Sequence, residues 1–403
     1  MHARDHILAE LGAELAARRG AALYRALRRV DSAQGAELSI EGRMYVQFCT
    51  NNYLGLADDP ALKAEAREAT EKYGTGAGAS RLVAGSMALH HELEAALAAF
   101  KGTEAALLLP TGFMANLAVL TTLAGEADAV VSDKLNHASL LDAAKFSGAN
   151  HRTFVHRAYD RAGALLGKQE TQNSKLKTQN GSGRKFLVTD SVFSMDGDVA
   201  DLRAACDVAD ARGALVIVDE AHGTGVLGAT GAGLAELQGV SERIFVSIGT
   251  LSKAFGSVGG FVAGPRAVIE MLINAARSFI YTTALPPACA AASLAALKII
   301  KDEPQRRARV LALAEHVRKE LRGMGFDTGD SATPIVPVMM GGADKAVAAA
   351  EFLKERGLYV PAIRPPTVPP NTARLRISLM ATHSDGHIEV LLGAMKALRE
   401  KPS

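Results

Sequence analysis

Cysteine is scarce in this chain: there are three among 403 residues, Cys49, Cys206 and Cys289, widely spaced and without a CxxC pair. That excludes a disulfide framework and a cysteine-built zinc site, and it points to a reducing, cytoplasmic setting. An excess of one charge is missing too. Forty-five basic and 43 acidic residues leave a formal +2, which builds no field for nucleic acid. No stretch approaches the 18 or so apolar residues of a membrane span, and the opening MHARDHILAELGAELAARRG lacks the apolar centre of a secretory signal. Internal repeats are not evident. What is present is apolar bulk, 48% of the chain, enough for a large core and for two domains or one with an appendage.

The patterning begins with a helix expected over 5–29, with Ile7, Leu8, Leu11 and Leu15 on one face. Arg18, Arg19, Arg25, Arg28 and Arg29 gather at its C-terminal end, where the helix dipole favours cations. LSIEGRMYVQF (38–48) reads as a β piece turning at Glu41-Gly42. From about 60 onward helix and strand alternate. Asp59 and Pro60 open a helix as N-cap and first helical residue. ALLLP (106–110), DAVVSD (128–133), KFLVTDSVFS (185–194), ALVIVDE (214–220), IFVSIG (244–249) and GGFVAG (259–264) are short, continuous apolar strands. Such strands with crossover helices between them predict a mainly parallel α/β sheet covered on both faces. KQETQNSKLKTQNGSGR (168–184) reads as an exposed polar loop. We expect three parts: an N-terminal helix and short β segment (1–48), a large domain (49–287) and a smaller C-terminal α/β domain (288–403).

In an open α/β sheet, ligands sit at the carboxyl ends of the strands. Several chemically distinct groups fall there. Asp219 ends one apolar strand, with His222 three residues on, and Ser194 follows another. Gly112 and Phe113 open a helix whose free N–H groups suit a phosphate. In GTLSKAFGSVGG (249–260), Thr250 and Lys253 stand among small residues, with one ammonium group just past a core strand. A phosphate cup, a carboxylate, an imidazole, hydroxyls and one amine match a cofactor with a phosphate, a basic ring nitrogen and an aldehyde, namely pyridoxal 5'-phosphate (PLP). Lys253 would bond the aldehyde, Asp219 would keep the pyridine nitrogen protonated, and the small neighbours would leave room for the ring. Singly, each residue has a duller reading: Asp219 as a helix cap, His222 as a core histidine, Lys253 as a surface lysine. Their conjunction at successive strand ends favours the cofactor.

Two other patterns carry less. YGTGAGASRLVAGS (73–86) follows a helix, and its glycines do not give G-x-G-x-x-G, which argues against a dinucleotide fingerprint. His383 and His387 flank Ser384, Asp385 and Gly386, which read as a helix start rather than a metal pair. In ARLRISL (373–379), Arg374, Arg376 and Ser378 alternate with Leu375, Ile377 and Leu379. That is either an arginine placed to clamp a carboxylate bidentately or the solvated face of an edge strand.

With TNNYLGL (50–56), GTGAGASRL (74–82), NHAS (136–139), VFSMDGD (192–198), VDEAHGTGVLG (218–228), GTLSKAFG (249–256) and YTTALPP (281–287) assembled, the chain resembles the α-oxoamine synthases over nearly its whole length. These are fold-type I PLP-dependent transferases. The resemblance implies a large domain whose mainly parallel sheet is sandwiched by helices, a smaller C-terminal α/β domain, and a homodimer with shared active sites. It implies that Lys253 carries the PLP imine, that Asp219 pairs with the pyridine nitrogen, and that His222 bonds the ring hydroxyl. His137 stacks on the ring near the substrate, while Gly112, Phe113, Ser194 and Thr250 line the cofactor. Arg376 matches the substrate-carboxylate arginine with Asn51 nearby, Arg25 and Thr367 match substrate positions, and Thr282 or Thr283 reaches the phosphate of the neighbouring subunit. AIRPPTVP with TARLRISL is most similar to the members that condense L-alanine with a pimeloyl thioester, pimeloyl-CoA or pimeloyl-acyl carrier protein, with loss of carbon dioxide. Relatives using glycine, or serine and a palmitoyl thioester, keep the same cofactor residues. An aminotransferase or lyase on the same cofactor is a further reading, and a non-catalytic nucleotide-binding α/β protein explains the fold but not Lys253. No metal, nucleic acid or membrane is implied.

Overall fold

A computed structural model describes residues 2–172 and 183–401. Most of the polar run 168–184 therefore lies outside the described residues. The chain divides into two compact units. The larger holds residues 51–194 and 198–310, and the smaller holds the N-terminal residues to Thr50, residues 195–197 and the chain from Leu311 onward. The segment 1–48 thus groups with the C-terminal part, and the helix Pro287–Asp302 falls in the larger unit.

The larger unit is built on a seven-stranded sheet. Its order is Ala105–Leu109, Gly260–Gly264, Val246–Thr250, Leu215–Asp219, Lys185–Asp190, Ala129–Asp133 and Asn150–Phe154. All neighbours run parallel except Gly260–Gly264, which is antiparallel to both of its partners. Six strands are short apolar runs, as the composition predicts for a sheet covered on both faces. Leu107, Val130, Val188, Ile217, Ile248 and Val262 are buried in one continuous core with Val119 and Leu120 of the helix Gly112–Leu123. Each such side chain contributes about 1.5–3 kcal/mol, and truncating Ile217 to alanine costs about 2–5 kcal/mol. The seventh strand, NHRTF, has no apolar run to announce it. It is an edge strand with one partner and a half-exposed face. Because the strands on either side of Gly260–Gly264 run the same way, Leu109, Asp133, Asp190, Asp219 and Thr250 all finish at one edge.

In the smaller unit the first helix is Ala3–Gly20, not 5–29. It stops at a glycine, and Ala22 then takes a left-handed φ of 55°. Only Arg18 and Arg19 of the five arginines lie in its last turn. None of its residues is buried: Ile7, Leu8, Leu11 and Leu15 stay 44–55% exposed. The hairpin Glu37–Ile40 with Arg43–Gln47 turns at Glu41 and Gly42, both at positive φ, which matches the twist of the flanking strands. Ala373–Ser378 is the central strand of a three-stranded antiparallel sheet, between Ile335–Gly341 and Ala362–Ile363. All six of its residues are buried. Arg374 and Arg376 therefore do not form a solvated edge face, and that alternative is overturned.

Candidate active site

The shared strand edge encloses a cavity of about 240 Å3. Gly112, Phe113, His137, Ser194, Asp219, His222, Thr250 and Lys253 all line it. Asn51 lies outside this lining but connects to it, since the Tyr53 hydroxyl lies 3.3 Å from Asn51 Oδ1 and 2.7 Å from His222 Nδ1. Thr283 is also outside the lining and is exposed. Arg25, Thr367 and Arg376 belong to the smaller unit. There Arg25 donates to Thr367 Oγ1 and to the Pro365 carbonyl, both at 3.3 Å. Arg376 donates to Ser378 Oγ at 2.8 Å.

Lys253 sits three residues beyond the Val246–Thr250 strand, in a tight return. Gly256 N–H donates to its carbonyl at 2.9 Å, and Leu251 N–H donates to the Gly259 carbonyl at 2.9 Å. Gly256 adopts φ +65°, and a Cβ there would lie 2.4 Å from the Ala57 nitrogen. Only glycine meets both demands. At Gly260 a Cβ would lie 2.5 Å from the Thr111 carbonyl, so the segment around the lysine is pressed against its neighbours' backbone. Thr111 caps the helix Gly112–Leu123 by accepting from Met114 N–H at 3.1 Å. The Gly112 and Phe113 N–H groups in that first turn are the positive end of the helix.

Asp219 is held by two donors. Ala221 N–H reaches its Oδ1 at 2.8 Å, and Asn116 Nδ2 reaches its Oδ2 at 2.7 Å. Asn116 donates its other hydrogen to Ser139 Oγ at 2.7 Å, and Ser139 Oγ lies 2.7 Å from His137 Nδ1. Ser139 N–H also donates to Nδ1 at 3.3 Å, so Nδ1 is an acceptor, the serine hydroxyl donates to it, and the His137 proton resides on Nε2. Burial lowers the His137 pKa and the Lys253 charge adds to this, outweighing the attraction of Asp219. The ring is therefore neutral. Asp190, the cross-strand partner of Asp219, also lines the cavity and accepts from His137 N–H at 2.7 Å. Burial and the neighbouring Asp219 raise its pKa well above the usual carboxylate range.

Asn116, Asp190 and Tyr53 are the cavity residues and supports that sequence reasoning passed over. A signal existed for the first: Asn116 is the one amide in the otherwise apolar GFMANLAVLTTL helix. Asp190 was hidden by reading its strand through to Ser194, whereas the strand stops at Asp190. The histidine pair near the C-terminus is structural. His383 Nε2 meets the Gln47 carbonyl at 2.9 Å, and His387 lies in the first turn of the helix that Ser384 caps.

The sequence profile of aminotransferase classes I and II matches residues 43–395. The chain belongs to this family and, within it, to the α-oxoamine synthases of fold type I, which use PLP. Among curated relatives, it is 47% identical to the 8-amino-7-oxononanoate synthase of Pseudomonas paraeruginosa, over 96% of this chain and 94% of that one. It is 47% identical to the enzyme of that name from Geobacter sulfurreducens, over 96% of both. Among solved structures it resembles the serine palmitoyltransferase of Sphingomonas wittichii (33% identity, TM-score 0.88, 98% and 96% covered). It also resembles the 8-amino-7-oxononanoate synthase of Francisella tularensis (28% identity, TM-score 0.75, 88% and 98% covered).

Proposed function

We propose that this chain condenses L-alanine with a pimeloyl thioester and releases carbon dioxide, the thiol and 8-amino-7-oxononanoate, the product for which its curated relatives are named, as a step of biotin biosynthesis. The observation that carries the chemistry is the cavity in which Lys253, Asp219 and neutral His137 line one wall set. Its donor set fits PLP. Gly112 and Phe113 N–H groups suit the phosphate with Thr250, and Ser194 lines the cofactor. His222, backed by Tyr53, suits the ring hydroxyl. Asp219, fixed by Asn116 and Ala221, suits the pyridinium. PLP, when bound, supplies an aldehyde that joins to amines and a ring that accepts the charge left at Cα.

The chain's own residues do the rest. Lys253 would hold the aldehyde, and its amine, when free, would be the base that takes the Cα proton of the amino acid. Asp219, fixed by Asn116 and Ala221, would hold a proton at the ring nitrogen. His137, with Nε2–H as donor, hydrogen-bonds the acyl carbonyl as it gains negative charge. By the family motif, Arg376 holds the alanine carboxylate with Asn51 nearby, Arg25 and Thr367 receive the acyl substrate, and Thr283 serves the phosphate of the second subunit in a homodimer. The free thiols Cys49, Cys206 and Cys289 support cytoplasmic placement.

Mass spectrometry of the product from alanine and pimeloyl-CoA is the test, with glycine plus short acyl thioesters and serine plus palmitoyl-CoA as comparators. The expected result is 8-amino-7-oxononanoate from the first pair only. Turnover confined to serine and palmitoyl-CoA overturns the reading in favour of the serine palmitoyltransferase type, which the 33% structural relatives represent. Lys253→Ala is expected to abolish both turnover and the visible absorbance of the bound cofactor.

A further inference from the structure

Outside the cavity lining, a half-buried histidine and two buried carboxylates lie in a row that the chemistry above does not use. The His156 ring places Nδ1 at 3.0 and 3.1 Å from the two oxygens of Asp133, and Nε2 at 2.7 Å from Asp198 Oδ2. Asp133 is fully buried and Asp198 nearly so. A neutral imidazole has one N–H. Facing a carboxylate on both sides, the ring satisfies both contacts only as an imidazolium donating from each nitrogen. Arg157 lies 3.5 Å from the same Asp198 oxygen, so two cations balance two anions. Nitrogen and oxygen are in direct contact on both sides, which leaves no room for a metal ion between them. Phe193 closes the row, with its ring edge-on to the imidazole at 4.3 Å between centroids.

Each carboxylate is tied to a loop that carries a cavity residue. Asp133 ends the Ala129–Asp133 strand, and its Oδ1 accepts from Leu135 N–H at 2.8 Å, shaping the turn that delivers His137. Asn136 fastens the same turn, donating to the Val188 carbonyl at 2.9 Å and accepting from Asp190 N–H at 3.0 Å. On the other side the Asp198 carbonyl accepts from Phe193 N–H at 3.1 Å, and Val192 bridges Val199. Those two links close the loop that bears Ser194.

We infer that His156 is a positioning residue for the cofactor cavity: as an imidazolium between Asp133 and Asp198, it clamps the His137 turn and the Ser194 loop in register with each other. The inference rests on the cofactor reading of the cavity for its effect on PLP, while the clamp itself is readable in the apoenzyme.

The experiment compares the full-length wild-type chain with His156→Gln, as apoenzyme and as holoenzyme. Glutamine keeps one donor but turns a carbonyl oxygen toward a carboxylate. Amide hydrogen exchange is followed at 134–140 and at 190–194 with 198–200, and PLP affinity is measured by titration of the apoenzyme. The expected result is roughly tenfold faster exchange in both loops, unchanged exchange in the Leu215–Asp219 strand, and a PLP Kd raised about tenfold. Loss of exchange protection with failure to bind PLP even in the wild type would retain the clamp and remove the cofactor reading. Unchanged exchange in either loop, or a uniform rise across the whole sheet, overturns the clamp. Asp198→Asn, which preserves shape and removes one anion, provides the same readout if the glutamine variant does not fold, with the same two overturning outcomes.

Discussion

His137 and His156 follow neighbouring strands of one sheet, both with rings close to buried aspartates, yet one ring is neutral and the other cationic. Burial lowers the pKa of each, because an imidazolium loses its hydration. At His137 the Nδ1 atom accepts from a serine hydroxyl rather than facing a carboxylate, and Lys253 adds a repelling charge, so the pKa stays low. At His156 both nitrogens meet carboxylates, and these hydrogen bonds outweigh burial and raise the pKa to about 9. The partner atom, not the depth of burial, decides the charge. The outcome suits the two places: a neutral donor beside the reacting atoms, and a fixed cation behind them.

The same substitution at both histidines separates the two roles most strongly. His137→Gln is expected to lower kcat/KM by about 10²–10⁴-fold, the range for losing a positioned acid–base group, with little change in the thermal midpoint. His156→Gln should instead show in cofactor affinity and loop exchange. If His137→Gln were to leave kcat/KM within threefold, the contrast drawn above would fail at its catalytic end.

Asn116→Ala comes next in size. It takes one of two donors from Asp219 and the donor that orients Ser139, and it leaves buried acceptors unmatched. Stability should fall by about 1–3 kcal/mol, measured by urea denaturation, and the absorbance of bound PLP should titrate within a pH range where the parent's is constant. Asn116→Asp would sharpen this, because a third carboxyl beside Asp219 should weaken PLP binding further.

A smaller effect follows from pH. The His156 pKa is about 9 in the folded chain, above its unfolded value of about 6.5. Its contribution to stability is therefore complete below about pH 6.5 and disappears as pH rises through about 9. The facing groups do not cancel this: Arg157 stays charged, and burial pushes the Tyr159 hydroxyl upward and out of the window. The thermal midpoint of the wild type should drop across pH 6.5–9 more than that of His156→Gln, and parallel curves would refute the charge assigned to the clamp.

Six strands of the central sheet and seven of its cavity residues were legible because they obey local rules, while His137 came only with the family resemblance. Apolar runs of five mark buried strands, and chemistry-bearing residues such as Asp219 and Lys253 stand where such runs stop. The clamp was not legible for the opposite reason. His156 follows NHRTF, an edge strand without an apolar run, and its partners Asp133 and Asp198 come from segments far apart in sequence. Nothing in VHRAYD states that its histidine meets two carboxylates. Asp190 and Asn116 were obscured by strand and helix patterns read as uniformly apolar. Arg374 and Arg376 showed the limit of alternation: period two was correct, but burial of both faces depends on the flanking strands, which the arginines do not announce.

The N-terminal helix marks the other limit of periodicity, and it yields the smallest expected effect. Ile7, Leu8, Leu11 and Leu15 recur at helical spacing, and a helix forms, yet the stripe buries nothing within the chain. What holds it is local: Glu14 receives Arg18 at 2.6 Å one turn on, and Arg18 and Arg19 lie at the negative end of the dipole. Leu11→Ser should thus change the stability of the isolated chain by no more than about 0.5 kcal/mol, whereas a comparable polar replacement at Ile217 should unfold it. In a homodimer that covered this face, Leu11→Ser would instead shift the dimer–monomer equilibrium, so sedimentation of the variant across a concentration series distinguishes a bare stripe from a shared one.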